Sequence, residues 1–351
     1  FKQKTAYEIM PSLVGSEMCI RDRLGGAVRK KIRVYATGGP FEGCGDLAKE
    51  LIEDGIVAMK IGPTIPVATP SEGQYLAPIE LDHVLKPFRD IRDAVGGDIK
   101  IANDGHGKWA LPVAIQIAKE MENLDIMWQE DLMPLLNPHS LRQLQEATTT
   151  PVCISERLLT RWQLREFIEN GAAQIVMPDL IWTGGITETH RIAVLASAHQ
   201  VPVAPHDATG PVNIFACAQI CMNSPNAMIM EHVRPYLYGW YGEMVDPLPP
   251  IENGWLHAPE NPGIGTRLRP EVFDRPDVET RVTGVDAMIP GMSDEGWVGV
   301  GLYDPNISTD NFSAAMWSDM ENIFEFRAQG SRFDEQVDTE TDEAQNTGDS
   351  K

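Results

Sequence analysis

From about residue 31 to residue 232 the chain alternates two hydrophobic patterns. Short apolar or β-branched runs read as strands: KIRVYAT (31–37), IVAMKI (56–61), DIKIAND (98–104), DIMWQE (125–130), PVCISE (151–156), AQIVMPD (173–179), VPVAPH (201–206) and AMIMEH (227–232). Between them lie stretches such as LDHVLKPFRDIRDAV, ALPVAIQIAKEMEN, SLRQLQEAT, RWQLREFIEN and GITETHRIAVLASAHQ. There apolar residues recur at three- and four-residue spacing, which reads as amphipathic helix. Strands separated by helices pair in parallel, because a parallel neighbour requires a crossover. Eight such strands predict an α/β fold of the closed (β/α)8 type, a TIM barrel, in preference to an open sheet.

Six of these runs close on a side chain that can bind a proton or a cation: Asp104, Glu130, Glu156, Asp179, His206 and Glu231. In a parallel barrel the C-terminal ends of all strands open on one face, so the six converge on one mouth. A single charged residue at a strand end is ordinarily a helix cap. Six in register ask for a common purpose. Carboxylates facing one another without a counter-ion raise each other's pKa and destabilise the fold. Asp104, Glu130 and Glu156, on three consecutive strands, are hard oxygen donors suited to Mg²⁺ more than to zinc. Three ligands leave positions for water and a substrate carboxylate. Asp179 and His206 fall on adjacent strands, where the carboxylate fixes the imidazole tautomer and makes a general base. His106 lies two residues past Asp104 and shares its face; it reads as a fourth ligand, a proton donor or a loop residue. Lys60 closes the second run, as a base if desolvated or as a point charge for a carboxylate. Glu231 reads as a partner for a substrate carboxylate, if protonated, or as a group that orients a neighbour.

Composition narrows the classes. The 351 residues carry a net charge of -22, from 29 basic and 51 acidic residues, which argues against a nucleic-acid partner. The five cysteines form no CxxC pair; this argues against a disulfide scaffold and predicts a reducing, cytoplasmic setting. No apolar run approaches the ~20 residues needed to cross a bilayer, and no secretory signal is legible. Residues 285–351 hold fifteen Asp or Glu against Arg327, Arg332 and Lys351, a net of 3 − 15 = -12. That acidic extension is expected to be disordered at least over 331–351, where almost nothing apolar is available to bury. Residues 1–23 show no clean period and resemble a translated sequencing-adaptor read, so they are set apart from the fold. The barrel and its C-terminal segment are assigned to residues 24–284.

Read in order, these residues resemble the enolase superfamily, in its mandelate racemase and muconate lactonizing enzyme branch, over about residues 28–284. The resemblance rests on Asp104, Glu130 in WQEDL and Glu156 in CISER as magnesium ligands. It rests equally on Asp179 in VMPDL with His206 in VAPHD, and on Glu231 in the eighth strand. It implies a modified (β/α)7β barrel with an α+β capping domain, which is expected to be missing, since the first strand begins at about Lys31. The Asp-x-His of the third strand looks like the sugar-acid dehydratases, galactonate and mannonate dehydratase in particular. The resemblance therefore implies a Mg²⁺-dependent lyase acting on a small-molecule acid sugar. His206 would remove the proton α to the carboxylate, Mg²⁺ would stabilise the enediolate, and His106 would protonate the departing β-hydroxyl, giving a 2-keto-3-deoxy acid. A homo-oligomer is also implied. Where racemases carry Lys-x-Lys, this chain has Lys60 alone. A racemase or epimerase of a 2-hydroxy acid, using Lys60 and His206, stays open, as does a non-catalytic or truncated barrel. The Pro-rich loop 62–78 is expected to close over the mouth.

Overall fold

A computed structural model describes residues 19–39, 42–62, 73–234 and 240–275. Helix α1 (Ile20–Arg23) leads into β1 (Lys31–Thr37), α2 (Cys44–Glu53), β2 (Ala58–Ile61), α3 (Pro78–Val95), β3 (Lys100–Asp104), α4 (Leu111–Met121) and β4 (Ile126–Glu130). Then follow α5 (Pro138–Ala147), β5 (Val152–Ile154), α6 (Arg161–Glu169), β6 (Ile175–Val176), α7 (Ile186–Ala198), α8 (Pro211–Asn223) and β7 (Met230–His232). Strands β1 to β6 pair in sequence order and in parallel, and β7 pairs in parallel with β1. The gap between β6 and β7 is spanned by the 201–206 run, whose Val203 bridges both Val176 and Ala227. The ring is thereby closed, and the predicted barrel is the observed one. The seventh run makes isolated bridges instead of a continuous ladder because Pro202 and Pro205 offer no N–H to a neighbour.

The alternation of each strand divides the apolar residues into two layers. One face meets the helices. Ile32, Val34, Met59, Ile61, Ile101 and Val152 are buried there, against helix residues such as Leu51, Phe88, Ile117 and Leu144. The other face fills the ring with Tyr35, Ala58, Ala102, Trp128, Cys153, Ile175, Met177, Ala204 and Ile229. Tyr35 crosses the ring to meet Trp128 edge to face, with centroids 5.3 Å apart. The interior is thus packed, and only its open end is left for chemistry.

Helix α4 shows why the helical runs were legible. Its buried residues, Val113, Ala114, Ile117, Ala118 and Met121, follow a three-four spacing on one stripe. Helix α8 gave no such signal, because nearly all of its residues are buried and no polar face marks the period. Two further strands, β8 (Val245–Asp246) and β11 (Arg267–Leu268), pair with each other. Between them in sequence, β9 (Ile251–Glu252) and β10 (Trp255–His257) form a hairpin that adds antiparallel to β1, with Lys31 opposite His257. Its turn is Asn253–Gly254, both at positive φ (49° and 72°), as a two-residue hairpin prefers. A Cβ on Gly254 would lie 2.1 Å from the Gly55 carbonyl oxygen, so only glycine fits.

Residues 19–23, set apart from the fold by sequence, pack onto it here. Cys19 is buried, Ile20 N donates to Gly263 O (3.2 Å), and Arg21 Nη1 donates to Pro259 O (2.6 Å). The expectations for residues 1–18, for the acidic extension and for the greater part of the 62–78 loop lie outside the described residues. None of the five cysteines forms a disulfide, and all are buried. Among the described residues, no helix is long and apolar enough to cross a membrane.

Candidate active site

The inner layer of the barrel fixes what its mouth presents. Ala58, Ala102, Trp128, Met177, Ala204 and Ile229 face the centre of the ring. Two residues further along the same chains stand Lys60, Asp104, Glu130, Asp179, His206 and Glu231. Period-two alternation therefore aims all six over the inner layer. The fifth strand departs from this rule. Cys153 is its inner residue, so alternation would present Ser155, not Glu156. Strand β5 stops at Ile154, and the turn after it brings Glu156 Oε2 to 3.8 Å from His206 Nε2. Asp104 is level with Glu130 in the ladder, and Glu130 with Cys153. Glu156 thus joins the site from three residues beyond that level.

Lys60 is buried, and its Nζ sits among carboxylates, donating to Glu130 Oε1 (2.9 Å) and lying 3.1 Å from Glu231 Oε1 and 3.8 Å from Asp104 Oδ2. Burial alone would lower its pKa, but Glu130 and Glu231 outweigh burial and hold the ammonium well above the usual lysine range. Held among three carboxylates, Lys60 is an ammonium, which favours its reading as a point charge over its reading as a base. Glu231 belongs to the same cluster. Burial would raise it, yet Lys60 and His206 keep it below the usual range, so it is ionised and not the protonated partner of a substrate carboxylate. Its Oε2 accepts from Asp207 N (2.8 Å), which fits the orienting reading.

His206 and Asp179 meet as expected. Asp179 Oδ2 accepts from His206 Nδ1 at 2.8 Å. Asp179 Oδ1 accepts from the backbone N–H groups of Ile181 (2.7 Å) and Trp182 (3.2 Å), so the carboxylate cannot turn. Nε2 is left pointing between Glu156 and Glu231, 3.8 Å from each. Burial would depress the imidazole, but Glu156, Glu231 and Asp179 carry it to about 10. Glu156 answers in the opposite sense: burial would raise it, while His206, Lys60 and Arg157 bring it to about 2.

His106 is held by its own strand end. Its backbone N donates to Asp104 Oδ1 (3.0 Å), and its ring Nε2 lies 3.2 Å from Asp104 Oδ2. Burial lowers its pKa, with Asp104 opposing. Gly62 leaves space for the ring, since a Cβ there would come within 3.2 Å of His106 Cε1. Three further residues belong to the site and were not singled out by sequence. Asp131, raised by burial to about 7, accepts from Ser155 and pairs with Arg157 Nε (3.1 Å). Arg157 Nη2 in turn donates to the His106 carbonyl (3.0 Å). Asp207 is fully buried, and its Oδ2 has no hydrogen-bond partner among the described residues; burial and Glu231 push its carboxyl well up. Asp131 and Asp207 directly follow mouth residues, so alternation points them off the inner face and offers no signal.

Among the described residues, no group of three or more His, Cys, Asp or Glu is already arranged to hold a metal ion. Asp104, Glu130 and Glu156 therefore do not form the ready cage that even spacing suggested. Their chemistry nevertheless fits a hard divalent cation. Burial holds Glu130 far above the usual carboxylate range, and the charges of Asp104, Glu156 and Glu231 add to this against the single pull of Lys60. Geometry points the same way: Asp104, Glu130 and Glu231 gather their oxygens around the single ammonium of Lys60, and carboxylate oxygens are the donors a hard divalent cation takes.

Residues 44–272 match the family described as enolase C-terminal domain-like. The chain is 38% identical to an enolase of the mandelate racemase subgroup from Agrobacterium tumefaciens, covering 74% of this chain and 69% of that one with a TM-score of 0.68. It is 30% identical to the D-xylonate dehydratase of Haloferax volcanii, over 70% of this chain and 61% of that protein. To the D-galactonate dehydratase of Variovorax paradoxus it is 29% identical, over 72% of this chain and 66% of that protein. The chain thus spans less than two thirds of the length of these dehydratases. Barrel, strand-end residues and matched span together place the chain in the enolase C-terminal domain-like family, in its mandelate racemase branch.

Proposed function

We propose that this barrel catalyses the magnesium-dependent dehydration of an aldonic acid, giving a 2-keto-3-deoxy acid. The observation that carries the reading is the Asp179–His206 pair at the mouth. Its imidazole has a fixed tautomer, and its free Nε2 faces the space bordered by Glu156 and Glu231. Glu156 and Glu231 hold the imidazole protonated, and a divalent cation on Glu156 would offset one of those charges; once neutral, with Asp179 accepting the Nδ1 proton, the imidazole presents its lone pair at Nε2 and takes the α-proton. The electron pair left behind forms a C–C double bond as the β C–O bond breaks. The departing oxygen takes a proton from His106 and leaves as water, and the enol gains a proton at C3 to become the 2-keto acid. His106 suits this task because Asp104 and the Arg157–carbonyl contact hold it on the third strand end, away from the base on the seventh. Asp104, Glu130 and Glu156 would hold the magnesium ion, which when bound supplies positive charge against the substrate carboxylate as the α-proton leaves. The names of the xylonate and galactonate dehydratases support the substrate class.

The test is a panel of aldonic acids incubated with the protein and magnesium, with 2-keto acid measured as the product. Product is expected from at least one acid, and it should vanish with His206→Asn or with a chelator. Product that persists in either condition overturns the reading.

A further inference from the structure

Lys60 is a mouth residue whose role the reaction above leaves open, and its position is unusual. It comes from β2, yet its Nζ touches carboxylates from β3, β4 and β7: Asp104, Glu130 and Glu231. Two of these three are residues that would ligate magnesium, so the inference rests on that assignment. The ammonium stands 2.9 Å from one prospective ligand and 3.8 Å from another, where a divalent ion drawing on both would have to approach it closely. Its stem is enclosed, with Met177 Sδ 3.7 Å and the Tyr35 ring centroid 5.7 Å from Nζ. It is only 3% exposed, so it has no open route to solvent. Glu130 is fixed from its other side by Trp128 Nε1, which donates to Oε2 (3.1 Å). Glu231 is likewise fixed by Asp207 N. The carboxylates are therefore held in place around the ammonium by groups that do not depend on a metal.

We propose that Lys60 is a tethered counter-ion that neutralises the carboxylates of the mouth when no metal is bound, and that it competes with the divalent cation for Asp104 and Glu130. A tethered cation has no translational freedom to lose on binding, whereas a free ion does. The metal-free barrel is thereby spared the mutual repulsion of the three carboxylates around the ammonium. The same arrangement weakens the affinity for magnesium, because the incoming charge meets a like charge at contact range. The site fills only when magnesium is abundant enough to take its ligands from the lysine.

The experiment compares the wild-type chain, Lys60→Met, and Lys60→Met combined with Glu231→Gln. Each is melted in a chelator and titrated with magnesium by calorimetry. Methionine keeps the unbranched stem and removes the charge. In the chelator, Lys60→Met should melt several degrees below wild type, and Glu231→Gln in that background should restore part of the loss by removing an unpaired buried charge. Magnesium should bind Lys60→Met at least about tenfold more tightly than wild type, with a larger magnesium-induced rise in Tm. A simple packing role predicts a loss of Tm that Glu231→Gln does not restore, and magnesium affinity unchanged or weakened; either result overturns the proposal. Should Lys60→Met fail to fold, the double variant must fold and bind magnesium more tightly than wild type, or the proposal falls. If wild type binds magnesium and Lys60→Met binds it no better, Lys60 is not a competitor although the magnesium reading stands. If none of the three binds magnesium, both fall together.

Discussion

Asp179→Asn is the substitution whose outcome the geometry dictates most closely. Asp179 Oδ1 accepts two backbone N–H groups, from Ile181 and Trp182, while Oδ2 accepts from His206 Nδ1 at 2.8 Å. An asparagine at this position has one acceptor oxygen. The two N–H groups can be satisfied only if that oxygen takes the place of Oδ1. The amide NH2 then faces His206, whose Nδ1 must become an acceptor. In the neutral imidazole the proton moves to Nε2, and the atom that should receive the α-proton is occupied. The corresponding reversal in a serine-protease triad costs about 10⁴ in rate. We expect about 10³–10⁴ here, or about 4–5 kcal/mol on the barrier. Loss of a buried charge-assisted hydrogen bond should also cost about 1–3 kcal/mol of stability, so the variant must first be shown to melt cooperatively. The assay is exchange of the substrate α-proton with deuterated solvent, followed by NMR, alongside formation of 2-keto acid. Both should fall together. Exchange within tenfold of wild type, in a folded variant, would refute the tautomer argument.

Further outcomes follow from the same contacts. His106→Asn, an exchange that tolerates the positive φ of 52° at this position, should keep α-proton exchange but lower water loss by about 10²–10⁴; equal loss of both would remove His106 from the elimination step. In a chelator, His206 at about 10 against an ordinary 6.5 stabilises the fold fully below pH 6.5, and that stabilisation is lost as pH rises toward 10. Urea midpoints should decline through this window, and His206→Asn should flatten the decline. Glu156, at about 2 against 4.5, should give the opposite acid limb, with stability present above pH 4.5 and lost as pH falls toward 2. Ile117→Ala, in the fully buried stripe of α4, should cost about 2–5 kcal/mol in chemical denaturation; a cost below about 1 kcal/mol would contradict the packing described. Gly254→Ala should destabilise the hairpin against β1 through its 2.1 Å approach to Gly55 O, visible as a lowered Tm.

The alternating runs were enough to find the barrel, because a strand buried on both faces and a helix buried on one leave different periods in the sequence. The first strand is observed over Lys31–Thr37, the same residues as its run. Where the period disappears, sequence reading failed. Helix α8 is buried almost all round and carries no polar stripe. The 201–206 run is cut by two prolines and bridges its neighbours without forming a named strand. The ENGW turn was an available hairpin signal that the reading of parallel strands passed over.

What the sequence determined by itself is the list of side chains at one end of the ring, since alternation and parallel pairing commit Asp104, Glu130, Asp179, His206 and Glu231 to the same face. What the tertiary structure decided is how their charges are shared. The turn after β5 brings Glu156 to His206 against the parity of its strand, and contacts across the ring turn Lys60 from a candidate base into the ion that holds three carboxylates. Neither follows from spacing, because spacing fixes the direction of a side chain along its own strand, whereas its protonation depends on burial and on charges from the opposite wall.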